Sequence, residues 1–181
     1  MDPYLLLKSL HVALAILWVG GASILTLLVV ILMGRGDDEA TMTGIFHVAL
    51  LGNRVFAPAG MATIASGLAL GWLGGWDWDA WTVLAIAIFA CTFVLGAAVL
   101  GPTCERAVKT WKAGDLAGAT AIGRRVLRLV AIDRGAQWAI IALMVMKPGW
   151  TDPALAVPAA SLLVGLAVAL RPAVRRAAQA A

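Results

Sequence analysis

Five long runs of apolar residues, interrupted by few charges, dominate the sequence. Each run is close to the ~20 residues that an α-helix needs to cross the ~30 Å hydrocarbon layer of a bilayer. The apolar positions are continuous, whereas those of membrane barrel strands alternate with polar ones. The pattern therefore predicts five transmembrane helices, at residues 4–33, 54–74, 81–100, 130–146 and 154–170.

Composition excludes the main classes of soluble protein. Of the 181 residues, 62% are hydrophobic and 13% are charged, and the mean hydropathy is +0.92, whereas a soluble domain carries about 25% charged residues. Two cysteines are too few for a disulfide scaffold. We expect an all-α polytopic membrane helix bundle that forms one domain over residues 1–170, followed by a basic, Ala-rich cytoplasmic tail at 171–181.

The basic residues predict the orientation of the chain. Of the 14 lysines and arginines, 12 lie between spans one and two, between spans three and four, or after span five, when Arg54 and Arg134 at the starts of spans two and four are counted with the segments that precede them. By the positive-inside rule these segments are cytoplasmic, so the N-terminus is outside and the C-terminus inside. Trp72, Trp78 and Trp150 then lie at the outer interface, a depth that tryptophan favours. The predicted location is the bacterial cytoplasmic (inner) membrane.

The segment 102–128, between spans three and four, is too charged to be a span and is broken at Gly114-Asp115. It is expected to form two cytoplasmic helical pieces, the first continuing span three, whose basic faces lie on anionic lipid headgroups. The positive-inside bias already explains this charge. The lipid bilayer is therefore the expected partner, and nucleic acid is not.

Polar residues within the spans are the candidate site residues, because they are costly in lipid and normally face the protein interior. Lys8, His11 and Trp18 share one face of span one, and Met144 and Lys147 lie at a comparable outer depth on span four. His11 is either a haem ligand or a histidine that is hydrogen-bonded to a neighbouring helix. His47 is predicted on the opposite side of the membrane, so the two histidines cannot share one iron.

Two further sets of residues predict contacts between helices. Arg54 and Asp133 are at similar predicted depth and are expected to pair, unless Arg54 extends to the lipid phosphates. Gly67 and Gly71 form a Gly-xxx-Gly pair, which is typical of a helix-packing surface. A cofactor lying against the bare backbone is the alternative use of these glycines.

The first span also carries a resemblance to a known superfamily. It reads KSLH at residues 8–11 and WVG at 18–20, and so resembles the opening helix of a bacterial membrane superfamily. That superfamily includes copper-resistance proteins of the CopD type and haem-dependent protoporphyrinogen oxidases of the HemJ type. The resemblance to the oxidases implies b-type haem on the matching histidine, His11. Copper handling is not indicated, because the outer loop at 72–81 contains no His, Met or Cys.

A broader resemblance covers the chain to about Trp150. Over this length the sequence is similar to a bacterial family of predicted integral membrane proteins, a domain of unknown function. The shared features lie at residues 53–58, 66–67, 100–102 and 146–149. The fifth span lies outside this resemblance.

Two functions of different classes follow from these observations. One is an inner-membrane redox protein that binds haem b through His11. The other is a non-catalytic accessory or assembly subunit that packs beside a larger membrane complex or a second copy. No complete catalytic motif is present in the sequence, so whether the protein is an enzyme stays open.

Reporter fusions test the predicted orientation. A reporter fused after Trp76 should read as periplasmic and one fused after Ala113 as cytoplasmic, because the basic segments are retained inside. The reverse pattern would contradict the orientation and all depths that depend on it.

Overall fold

A computed structural model describes residues 2–180, with side chains through Arg171. This part of the chain is helical and contains no strand, which confirms the all-α prediction. Five continuous helices are long and apolar enough to cross a membrane, which confirms the predicted number of spans. They comprise Pro3–Gly34, Asp38–Leu73, Ala80–Lys112, Leu116–Met146 and Pro153–Arg171.

The first compact unit, Met1–Trp78, is a hairpin of two long helices. Each helix is interrupted by a short π-helical segment. The first helix comprises α1 (Pro3–Ala15), π1 (Ile16–Gly21) and α2 (Ala22–Gly34), and the second comprises α3 (Asp38–Leu51), π2 (Gly52–Phe56) and α4 (Ala57–Leu73). Helix α1 packs against α4, and α2 packs against α3. The two long helices are therefore antiparallel along their length.

The hairpin turn follows from local sequence. Gly36 has a φ of +75°, a conformation that glycine adopts without strain. Asp37 then caps the second helix, because its carboxylate accepts a hydrogen bond from the Ala40 amide at 2.9 Å. The helix thus begins at Asp38, well before the span predicted to start at residue 54, and His47 lies on α3.

The second compact unit, Asp79–Ala181, is built around one long helix. Its elements are α5 (Ala80–Leu95), π3 (Gly96–Leu100), α6 (Gly101–Lys112), α7 (Leu116–Met146), a 3₁₀ turn (Pro153–Leu155) and α8 (Ala156–Ala180). Helix α7 packs against α5, α6 and α8. It ends at Met146, and the next residue, Lys147, adopts a left-handed conformation with φ 47° and is followed by Pro148.

Helices α6 and α7 contain the two helical pieces predicted for residues 102–128, and they pack together as a hairpin. The first piece continues span three, as expected, whereas the second is continuous with span four. Small residues, including Cys104, Ala107 and Ala119, are buried where the two helices pack together. The basic residues of the hairpin are mostly exposed, namely Arg106, Lys109, Lys112, Arg124 and Arg125.

Helices α7 and α8 approach each other backbone to backbone at two glycines. A Cβ atom added at Gly135 would lie 2.7 Å from the carbonyl oxygen of Ser161, and one added at Gly165 would lie 2.7 Å from that of Ala131. Both distances are shorter than van der Waals contact. Each helix thus has two small residues four positions apart at the crossing, Ala131 and Gly135 on α7 and Ser161 and Gly165 on α8, and these bring the two helices together.

The domain boundaries predicted from sequence are not tested by the structure. The helices divide into two compact units, and the single domain predicted over residues 1–170 stays a prediction. The tail predicted at 171–181 lies, apart from Arg171, outside the side chains that the structure describes.

Substitution at the α7–α8 crossing should be destabilising. Gly135→Ala should lower stability in detergent by about 1–3 kcal/mol, because the new methyl group overlaps the α8 backbone. Thermal unfolding measures the change. Gly96→Ala is the matched control, since a Cβ there meets no heavy atom within 4 Å, and it should be neutral or slightly stabilising. Equal losses in both variants would contradict the crossing.

Candidate functional site around His11

His11 and Trp18 lie on the face of the first helix that packs against α4. The imidazole of His11 covers Gly67, where a Cβ atom would lie 3.0 Å from Cε1, and the indole of Trp18 covers Gly60, where a Cβ atom would lie 3.3 Å from the ring. The two aromatic residues are seven positions apart, and so are the two glycines. This matched spacing sets the antiparallel register of the hairpin.

Hydrogen bonds to α4 fix the orientation of the His11 ring. Nδ1 lies 3.0 Å from the carbonyl oxygen of Thr63 and 3.1 Å from Oγ of Ser66. The Ser66 hydroxyl donates to the carbonyl oxygen of Ala62 at 2.7 Å, so its oxygen acts as an acceptor toward His11. Because a carbonyl oxygen only accepts, Nδ1 carries the proton.

The second ring nitrogen of His11 has a different environment. In the neutral imidazole, Nε2 is unprotonated and presents a lone pair when Nδ1 carries the proton. Nε2 makes no hydrogen bond to any residue that the structure describes, and the side chain is half-buried. The arrangement leaves one nitrogen able to bind a Lewis acid or to accept a hydrogen bond.

The two π-helical segments pack together next to this site. A Cβ atom at Gly21 would lie 2.9 Å from Cε1 of Phe56, so the ring of Phe56 occupies that face of π1. Gly20 is more open, since a Cβ atom added there would lie 4.0 Å from its nearest neighbour, Ile16 Cγ2. Trp18 lies inside π1 and is 9% exposed. Short π-helical segments redirect side chains and are frequent at functional sites.

The other residues predicted beside His11 are found in different surroundings. Lys8 is exposed, one turn before His11. Met144 is half-buried in the second unit, where Lys147 Nζ lies 5.2 Å from the centroid of the Trp81 ring. That distance is typical of a cation–π contact. The roles of Lys8, Met144 and Lys147 beside a cofactor stay predictions.

The glycines of α4 contact aromatic side chains of their own unit. Gly67 receives the His11 ring, and a Cβ atom at Gly71 would lie 3.2 Å from the indole of Trp76. The face that contains Gly67 and Gly71 is therefore covered, within the hairpin, by side chains of the same chain.

A second polar cluster lies on α7. One oxygen of Asp133, Oδ2, accepts hydrogen bonds from Arg134 Nη2 at 2.5 Å and from Gln137 Nε2 at 3.0 Å. Arg134 was not predicted as the partner of Asp133, because adjacent helical residues rarely face each other. The sequence feature that could have indicated this pair is the charge of Arg134, which lies within an apolar run. Arg54 is exposed in π2, and its pairing with Asp133 stays a prediction.

The remaining candidate ligands are dispersed. His47 is exposed, and its Nδ1 lies 2.8 Å from the carbonyl oxygen of Thr43 on its own helix. An apolar groove of about 640 Å³ lies beside it, between α2 and α3. Within the part of the chain that the structure describes, no three His, Cys, Asp or Glu side chains are grouped as metal ligands.

Comparison with known proteins identifies the family of the chain. The model of the family described as predicted integral membrane protein, DUF2269, matches residues 5–148. The chain belongs to this family, which confirms the broader of the two resemblances, and helix α8 lies beyond the matched residues. Comparisons with curated proteins and with solved structures find no match.

Double-mutant cycles test the partners of Asp133. The Asp133→Ala and Arg134→Ala changes should couple by about 0.5–3 kcal/mol in thermal unfolding, because both remove the same ion pair. Arg128, a half-buried arginine on the same helix, is the matched control, and Arg128→Ala should be additive with Asp133→Ala. The same cycle with Arg54→Ala tests the pairing predicted from sequence, and strict additivity would exclude it. Additivity between Asp133 and Arg134 would contradict the observed ion pair.

Proposed function

On the premise that the chain belongs to a family of integral membrane proteins, we propose that it binds b-type haem through Nε2 of His11 and acts in a redox reaction within the cytoplasmic membrane. The observation that carries this proposal is the difference in hydrogen bonding between the two nitrogens of the His11 ring. Nδ1 is bonded to α4, whereas Nε2 has no partner among the described residues.

The bonded nitrogen supports a ligand role. Histidine ligands usually donate their second ring N–H to a carbonyl or carboxylate, which fixes the tautomer and makes the other nitrogen a better donor to a metal. Thr63 supplies such a carbonyl here, and Ser66 supplies a second acceptor. His11 Nε2 would therefore be the one nitrogen of this site that could hold haem iron. The bound haem would supply one-electron chemistry.

Packing against α4 would hold the ligand still. The ring rests on Gly67, where no side chain intervenes, and Trp18 occupies the same helix face one heptad away. Lys8 is exposed one turn from His11, and its ammonium group would be available to pair with a carboxylate of the haem. Phe56 fills the face at Gly21, so Gly21 does not provide room for a haem ring.

His47 is the competing histidine. Its Nδ1 is also bonded to a carbonyl, and an apolar groove lies beside it. The carbonyl that it contacts belongs to its own helix, however, and its side chain is exposed. Only the His11 ring is held by a second helix, which is the reason for assigning haem to His11.

An accessory role is the alternative function. One observation favours it: the contact between His11, Gly67 and Thr63 joins two helices by itself, and this contact needs no cofactor. A histidine in the apolar zone would then serve to fix the hairpin. In that case the protein would be recovered colourless, together with a stoichiometric membrane partner.

The visible spectrum of the purified protein tests the proposal. Protein expressed with ample haem should show a Soret band, and His11→Ala should remove it, because the nitrogen that would hold the iron is lost. Ser66→Ala should weaken haem affinity by about tenfold, since an acceptor for the Nδ1 proton is lost. Met144→Ala should shift the spectrum only if its sulfur is a second ligand.

His47→Ala is the matched control, and it should leave the Soret band intact. A band that is lost in His47→Ala and retained in His11→Ala would show that His47 binds the iron, and it would contradict the proposal. A colourless protein under the same conditions would favour the accessory role.

A further inference from the structure

Helix α7 contains a buried polar cluster formed by Asp133, Arg134 and Gln137. Asp133 and Gln137 are 5% and 2% exposed. Asp133 lies 13 residues before the end of the helix at Met146, which places it about 20 Å along the axis from that end. A span of this length brings the cluster within the apolar layer, where unsatisfied polar groups are costly.

Several atoms of this cluster are left without hydrogen bonds in the described residues. They are Nε and Nη1 of Arg134, which are donors, and Oε1 of Gln137, which is an acceptor. The bonded atoms of both side chains converge on the same oxygen, Oδ2 of Asp133. The spare donors and the spare acceptor therefore belong to two side-chain groups that are each hydrogen-bonded to this one oxygen.

Charge and hydrogen bonding together define what this place can bind. The carboxylate of Asp133 and the guanidinium of Arg134 form an ion pair, so an added ion would leave a net charge in the apolar layer, which is costly. A neutral group must accept a hydrogen bond from Arg134 and donate one to Gln137. An O–H group does both.

We propose that Asp133, Arg134 and Gln137 form a binding site for a neutral hydroxyl-bearing group, whose oxygen accepts a hydrogen bond from Arg134 and whose O–H donates a hydrogen bond to Oε1 of Gln137. The hydroxyl group belongs either to water or to a small organic acid in its protonated form. Asp133 is the positioning residue, because it holds both side-chain heads on one oxygen. The site is independent of haem binding at His11.

The infrared band of the Gln137 side-chain carbonyl reports on the site directly. Glutamine occurs only at positions 137 and 179, so ¹³C-carbonyl glutamine in a Gln179→Ala background labels Gln137 alone. A carbonyl that accepts a hydrogen bond absorbs at lower frequency than one that does not. The full chain is measured in lipid nanodiscs, first without and then with increasing butyric acid in its neutral form.

Two results support the proposal and separate the sources of the hydroxyl group. A band at the hydrogen-bonded position that butyric acid leaves unchanged identifies water. A band that moves to that position saturably with butyric acid identifies an organic hydroxyl group. Arg134→Met should return the band to the unbonded position in either case, because the group loses its donor.

Other results overturn the proposal. A band at the unbonded position with and without butyric acid excludes a hydroxyl ligand, and this measurement needs no change at the site. A bonded band that persists in Arg134→Met shows that the carbonyl is satisfied by another group. Thr120→Val is the control: Thr120 is buried on the same helix and bonds the Leu116 carbonyl oxygen, and its loss should leave the band unchanged.

Discussion

The contact of His11 with α4 is the interaction on which the first unit and its proposed chemistry depend. The imidazole rests on Gly67, and its Nδ1–H donates a hydrogen bond to the carbonyl oxygen of Thr63. The glycine lets the ring approach the backbone, and the hydrogen bond satisfies a polar group that lipid cannot satisfy. The same contact fixes the register of the helix pair and selects which nitrogen of the histidine is available for binding.

In the second unit, glycines bring helices together by a different kind of contact. In the first unit the missing side chain of a glycine is replaced by a ring from the facing helix. In the second, Gly135 and Gly165 bring two backbones into direct contact. Without a hydrophobic driving force between helices in lipid, close packing of this kind and interhelical hydrogen bonds hold membrane helices together. The two hydrogen bonds of Asp133, Arg134 and Gln137 form within their own helix, and the atoms left without partners belong to the proposed binding site.

The sequence was sufficient for the class of fold and for the helix face of the site. The length and continuity of the apolar runs predicted five spans, and the spacing of His11 and Trp18 placed them on one face, because both features depend only on helix geometry. The broader family resemblance was also correct.

The partners of these residues could not be predicted in the same way, because they depend on the register between helices. Nothing in the local pattern around Gly67 indicates that a histidine ring, rather than the backbone of a facing helix, covers it. The crossing of Gly135 with Gly165 was missed for the same reason. The pairing of Asp133 with Arg134 was missed because it depends on the rotamers of two adjacent side chains.

The tautomer of His11 is the most direct test of this account. The chain has two histidines, so ¹⁵N-histidine labelling of a His47→Gln variant leaves His11 as the single signal in NMR spectra. The account predicts a neutral ring with the proton on Nδ1, and an Nε2 signal that changes when haem is added while the Nδ1 proton is retained. A ring protonated on Nε2, or an Nε2 signal that haem leaves unchanged, would contradict it.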